Sequence, residues 1–141
     1  DYNFTFFSLA TQNVVNVEPK KGLWDLCFTV FTNEIVNSGS YGYSDFVLNN
    51  LKAGVKGYRV AVTSDLNFNN FAMNNVVESN FMDDQRVIGA EWRDVFTGSA
   101  YTDRFYVIKD ADGNYYKVRM LEFLNEGGVR GYPKFEYKLI Q

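Results

Sequence analysis

Two side chains here have the chemistry to hold a soft metal centre: Met73 and Met82, both in one polar segment. Thioether sulfur can serve as an axial ligand to haem iron. On the residues alone, anchoring a loop to the core is the plainer use of both thioethers. Met120, the remaining methionine, runs in phase with Tyr116 and Val118, which assigns it to packing. The chain contains no His and a single Cys, Cys27. An intramolecular disulfide, a Cys-rich zinc site, and Ser–His or Cys–His nucleophile activation are therefore excluded. Cys27 lies inside an apolar run and reads as a small core hydrophobe.

The other candidates carry weaker patterns. Asp83, Asp84, Glu91 and Asp94 gather around Trp92. A glycosidase needs two carboxyls facing each other across a sugar, which neighbours on a loop do not establish, so a solvated edge is the expected role. Asp110-Ala-Asp112-Gly113-Asn114 has a faint likeness to a calcium loop. Its Gly stands fourth rather than sixth, however, and its twelfth place is Leu121 rather than Glu, so a hairpin turn is expected instead. Asn3-Phe4-Thr5 matches a glycosylation pattern that is common by chance. No acid–base pair emerges, and the expectation is a binding protein rather than an enzyme.

The elements that would position these groups are mostly strands. An aromatic share of 18%, with 13 Phe and 10 Tyr, favours β structure. The C-terminal third reads as a three-strand meander: Arg104–Lys109, Tyr115–Leu124 and Pro133–Gln141. In the last run Phe135, Tyr137 and Leu139 share one face, and Lys134, Glu136 and Lys138 share the other, which predicts a strand with one buried side. Upstream, Tyr2–Leu9 and Val14–Val17 read as strands separated from the next by a turn at Glu18–Gly22. Leu23–Phe31 reads as a central strand, because Trp24, Leu26, Phe28 and Val30 give it a wholly apolar face. Asn37–Ser44 reads as a loop. Ser44–Gly54 reads as a short helix, with Ser44 as N-cap and Gly54 as stop. Gly57–Thr63 and Arg86–Phe96 read as strands, with an Asn-rich irregular segment, 64–84, between them and a loop at Thr97–Tyr101.

A chain of 141 residues suits one domain over 1–141 and can bury a core without a staple. The fold class expected is all-β, an antiparallel β-sandwich-like domain closed by the C-terminal meander. The net charge of −3 comes with signs mixed along the chain, and no basic patch marks a nucleic-acid partner. No run is long and apolar enough to span a membrane.

The run Phe105-Tyr-Val-Ile-Lys-Asp-Ala-Asp-Gly-Asn-Tyr-Tyr-Lys-Val-Arg-Met120, followed by Gly-Tyr-Pro-Lys-Phe-Glu-Tyr-Lys-Leu139, resembles the HmuY family of haem-binding surface lipoproteins of Bacteroidetes-type bacteria. Phe6-Phe7-Ser8-Leu9, Val14-Val15-Asn16-Val17, Leu23-Trp24-Asp25-Leu26 and Asn37-Ser38-Gly39-Ser40 are similar to the family's N-terminal pattern, in order. The resemblance implies an all-β domain holding haem between end loops through two axial side chains, a His pair in some members and a Met pair in others. It implies a first ligand loop between Thr63 and Trp92 and a second near Trp92 to Tyr101. At the second ligand's position this chain has Thr97. Candidate ligands are then Met82 first, Met73 second and Tyr101 third. The resemblance further implies haem capture at the cell surface or in the periplasm, by an outer-membrane lipoprotein or secreted protein, and delivery to an outer-membrane transporter. Membrane attachment would come only through a lipid anchor ahead of Asp1. The alternative is a module of the same fold that has lost haem and meets a glycan or protein through Tyr41, Tyr43, Tyr101 and Trp92.

Overall fold

The computed structural model describes residues 1–141 and is all-β. Its centre is a four-stranded antiparallel sheet of β5 (Lys56–Ala61), β8 (Arg104–Lys109), β9 (Tyr115–Leu124) and β10 (Arg130–Leu139), in the order β10-β9-β8-β5. The meander expected at the C-terminus thus forms, and β5 joins its far side. The Asp110 turn is a hairpin connection, not an ion loop. The Asp110 carboxylate accepts the N–H groups of Asp112 (3.0 Å) and Asn114 (2.7 Å), and so consumes its own lone pairs within the turn. The β9–β10 pairing is irregular around Lys134, next to Pro133, which has no N–H to offer a ladder.

β8 is buried on both faces, and its alternating side chains serve two cores. Tyr106 and Ile108 join Val118, Met120 and Phe123 of β9 on one face, where Val47, Ile88 and Trp92 cover them. Met120 is therefore core, as its phase predicts. Phe105 and Val107 face the other way, onto Phe68, Phe71 and Ile140. The Asn-rich segment is irregular, as expected, with short 3-10 turns at Met73–Asn75 and Glu78–Asn80. It covers the second face of the sheet by inserting phenylalanines, and Lys117 of β9 holds it down by donating to the carbonyls of Asn69 (3.3 Å) and Phe71 (2.8 Å).

The first half of the chain departs furthest from expectation. β3 (Leu26–Ile35) and β4 (Gly39–Asn49) form a two-stranded ribbon that lies over the first core. Leu23–Phe31 is therefore not a central strand: β4 is its only partner, and Val30 is exposed. Residues 21–25 peel away because the buried Asn50 amide donates to the carbonyls of Lys21 (2.6 Å) and Trp24 (2.8 Å). The expected loop at 37–44 and helix at 44–54 are mostly strand β4. Only Leu51–Ala53 turns, as a 3-10 turn, and Gly54 ends it at φ 91°. Ser44 and Asp45 mimic a helix start, but ribbon pairing outweighs that local signal, and Asp45 takes φ 55° in the strand.

That kink turns the Asp45 carboxylate inward. It pairs with the buried Arg93 at 3.4 Å and with Arg130 of β10, while the Asp45 carbonyl accepts the Trp92 indole N–H at 3.0 Å. The knot ties ribbon, sheet and the Trp92 segment together. The remaining strands are short: β1 (Phe6–Ser8) pairs with β2 (Asn13–Val15), and β6 (Arg93–Asp94) with β7 (Ser99–Ala100). The strands expected at 2–9, 14–17 and 86–96 shrink to these pieces. No helix is long and apolar enough to cross a membrane.

Candidate functional site

The outer edge of β5 has no neighbouring strand, and the end of the Asn-rich segment returns to it. The Met82 N–H donates to the Gly57 carbonyl at 3.1 Å, in a single bridge that fixes Met82 beside the sheet. Gly57 is needed for this fit. A Cβ there would stand 2.6 Å from Ile108 Cδ1 and 2.8 Å from the Val107 carbonyl oxygen, closer than β5 can sit on β8 with any side chain. Met82 is 49% exposed and lines a cleft of about 430 Å³ with Tyr58, Arg59, Asn80, Glu91 and Tyr106. That volume suits a small-molecule site.

The floor of the cleft is Tyr106, which is 1% exposed and whose hydroxyl has no hydrogen-bond partner. Burial pushes this phenol up to about 12, against the pull of Arg104 and Arg59, so it stays protonated and able to donate. A buried polar group without a partner costs stability unless something arrives to meet it. Tyr58 differs: burial raises its phenol too, but its hydroxyl accepts the Val77 N–H at 3.1 Å. Arg86, also in the lining, is held by the Asp84 carboxylate (2.9 and 2.8 Å) and Asn33 (2.9 Å). That hydrogen bonding keeps the Asp84 carboxyl below the usual range. Arg59, opposite Tyr106 across the β5–β8 ladder, takes part in none of the chain's ion pairs. The cleft therefore offers a thioether, a buried donor, a cation in Arg59 and a carboxylate in Glu91, neither of the last two held in an ion pair.

Met73 and Tyr101 are not part of this cleft. Met73 sits in the first 3-10 turn, 46% exposed. Tyr101 lines a separate hollow with Phe68, Phe105 and Arg119, and the Arg104 guanidinium lies over its ring at 4.3 Å. Thr97 is exposed in the β6–β7 turn.

A comparison with protein families decides the lineage. The model of the family described as HmuY protein matches residues 1–137. The chain belongs to the HmuY family. No curated protein and no solved structure matches it.

The other candidates in this HmuY-family chain are dispersed. Asp83 pairs with Lys56 at 2.6 Å, Asp84 with Arg86, and Asp94 accepts the Phe96 N–H at 2.9 Å; Glu91 alone reaches the cleft. No three Asp, Glu or Cys side chains gather as a metal site. Asn3 is in irregular chain rather than a strand, and its amide donates to Asn50 at 3.0 Å. Cys27 is half-buried in β3, where burial pushes its thiol up. Trp92 is 1% exposed, so it cannot meet a partner at the surface, while Tyr41 and Tyr101 can. Sequence reasoning missed Arg59 and Tyr106. Both looked like ordinary strand residues, and only the register that sets one opposite the other reveals them.

Proposed function

We propose that this HmuY-family protein binds haem in the Met82 cleft, captures it at the cell surface or in the periplasm, and passes it to an outer-membrane uptake system. It acts as a carrier and performs no catalysis. The observation that carries the reading is the meeting of Met82 with Tyr106 and Arg59 in one cleft of a chain whose family is haem-associated. Haem brings a soft-tolerant iron, an apolar ring and two carboxylates. The Met82 thioether suits the iron, Arg59 suits a carboxylate, and the Tyr106 hydroxyl can donate to an oxygen. Met73 and Tyr101 stand apart and are left as alternative ligands only if Met82 proves dispensable. The outer-membrane location, as a lipoprotein or in secreted form, follows the family resemblance.

Hemin titrated into the protein is expected to give a saturable change in its absorbance, and Met82→Leu, which keeps the side-chain volume, to weaken binding by about tenfold or more. A spectrum identical to free hemin would reject haem binding. An equal response in protein and variant would clear Met82. A second reading is favoured by the single soft ligand in the cleft: a module of this fold that has exchanged haem for another ligand or a protein, with exposed Tyr41 and Tyr101 available for contact. Protein that stays colourless with hemin supports it.

A further inference from the structure

The more apolar cavity lies elsewhere. Between the start of the ribbon and the β8–β9–β10 part of the sheet is a space of about 500 Å³, walled by Trp24, Phe28, Tyr116, Phe135 and Tyr137. Phe28 and Phe135 are stacked, with ring centroids 5.4 Å apart, and Phe135 and Tyr137 stand 6.2 Å apart. The only charged residues in the lining are two carboxylates, Asp25 and Asp110. Asp110 is tied into its hairpin turn by Asn114, whereas Asp25 forms no ion pair and accepts no side-chain hydrogen bond. Partial burial against the cavity wall, and then the negative charges of Asp110 and Asp112, raise the carboxyl of the otherwise exposed Asp25, as expected for an anion lacking a counter-cation.

We propose that this cavity is a second ligand site, for an organic cation: a protonated amine or quaternary ammonium carried on an apolar or aromatic body. Aromatic faces attract such a cation through their quadrupoles, and the unpaired carboxylate at the wall supplies the complementary charge. The apolar body would lie against Phe28, Phe135 and Tyr137, which the fold leaves partly exposed. The same charges repel a carboxylate-bearing ligand, so this is not an alternative seat for haem.

Three probes sharing a phenyl body separate the contributions: phenethylamine, 2-phenylethanol and 3-phenylpropionate, each titrated into the full chain and followed by amide and indole NMR shifts. Phenethylamine is expected to move the Trp24 indole and the Phe135–Tyr137 amides saturably, with affinity about tenfold above the alcohol, and the acid to bind weakest. Asp25→Asn, at an exposed position, should bring the amine down to the alcohol's affinity and leave the Trp92 indole resonance in place. Tyr137→Ala, also exposed, should weaken the amine and the alcohol alike. Equal affinity for all three probes, shifts scattered away from these residues, no saturation with phenethylamine, or an unchanged Asp25→Asn would each overturn the proposal. The hemin response is expected to be the same in Asp25→Asn, so either site can fail without the other.

Discussion

The two cavities lie toward opposite edges of one sheet and differ in charge: the Met82 cleft has charges of both signs at its wall, the Trp24 cavity carboxylates alone. The Met82 cleft, at the β5 edge, is half polar, with an unpaired Arg59 at its wall and the Tyr106 hydroxyl at its floor. The Trp24 cavity, toward β10, is mostly apolar and half aromatic, with an unpaired Asp25 and an indole N–H that also lacks an acceptor. Volume does not separate them, at about 430 and 500 Å³. What separates them is how each was built. The first is closed by an irregular segment fastened to a strand edge at one bridge. The second is the gap left where a ribbon covers a sheet incompletely. A fold that covers its sheet with pieces rather than with a second full sheet leaves spaces of both kinds, and the residues left unpaired at their walls decide what each can hold.

The largest effect is expected where the ribbon is tied to the sheet. Asp45→Asn keeps the size of the side chain and a residue tolerant of φ 55°, but it removes the charge that faces the buried Arg93 and Arg130. Leaving Arg93 buried without a counter-charge, with only the Ala90 and Ser44 carbonyls to accept from it, should cost about 3–5 kcal/mol in urea unfolding. If the variant still folds, the phenethylamine response should suffer more than the hemin response, because the ribbon walls only the Trp24 cavity. Equal losses at both sites would show that the cavities are not independent.

Gly57→Ala acts on the other side of the comparison. The added Cβ meets Ile108 and the Val107 carbonyl, and the strand must shift away from β8, at about 1–3 kcal/mol. Because Met82 hangs from the Gly57 carbonyl, hemin affinity should fall while the phenethylamine response persists. An unchanged hemin titration at reduced stability would detach Met82 from the site.

These sites were unequally visible in the sequence, for a physical reason. The meander from Arg104 onward was legible because its signals are local: period-two alternation, and an Asp110 that caps its own turn. Its buried side was not, since Tyr137 is 63% exposed: the cover over that face depends on how far the ribbon reaches, which no strand encodes. The Ser44–Gly54 helix failed because Ser44 and Gly54 state a local preference that pairing with β3 overrides. Met73 and Met82 are the same residue type in the same segment. Only the bridge to Gly57 distinguishes them, and that bridge spans residues far apart in the chain. Lys117 carried no signal either: its charge sits between strand aromatics, yet it is buried, and burial lowers its ammonium, because carbonyls of the Asn-rich segment come to meet it.

The smallest change tests the finest distinction, that the cleft floor is reserved for a ligand. Tyr106→Phe removes one oxygen atom that is buried without a partner. That hydroxyl gains no hydrogen bond from the chain in return for its desolvation, so the variant should be more stable, by about 1 kcal/mol in urea unfolding. The Phe ring keeps the packing against Val118 and Ile108, so no cavity offsets the gain. In the hemin titration the sign should reverse: a hydroxyl that donates to the bound ligand is lost, and affinity falls while stability rises. Stability and affinity rising together would mean the hydroxyl is a defect of packing. Opposite movements would mean that the protein sacrifices stability at Tyr106 to keep a buried donor beneath the Met82 cleft for the ligand to reach, as the Trp24 indole N–H stands without an acceptor at the other cavity.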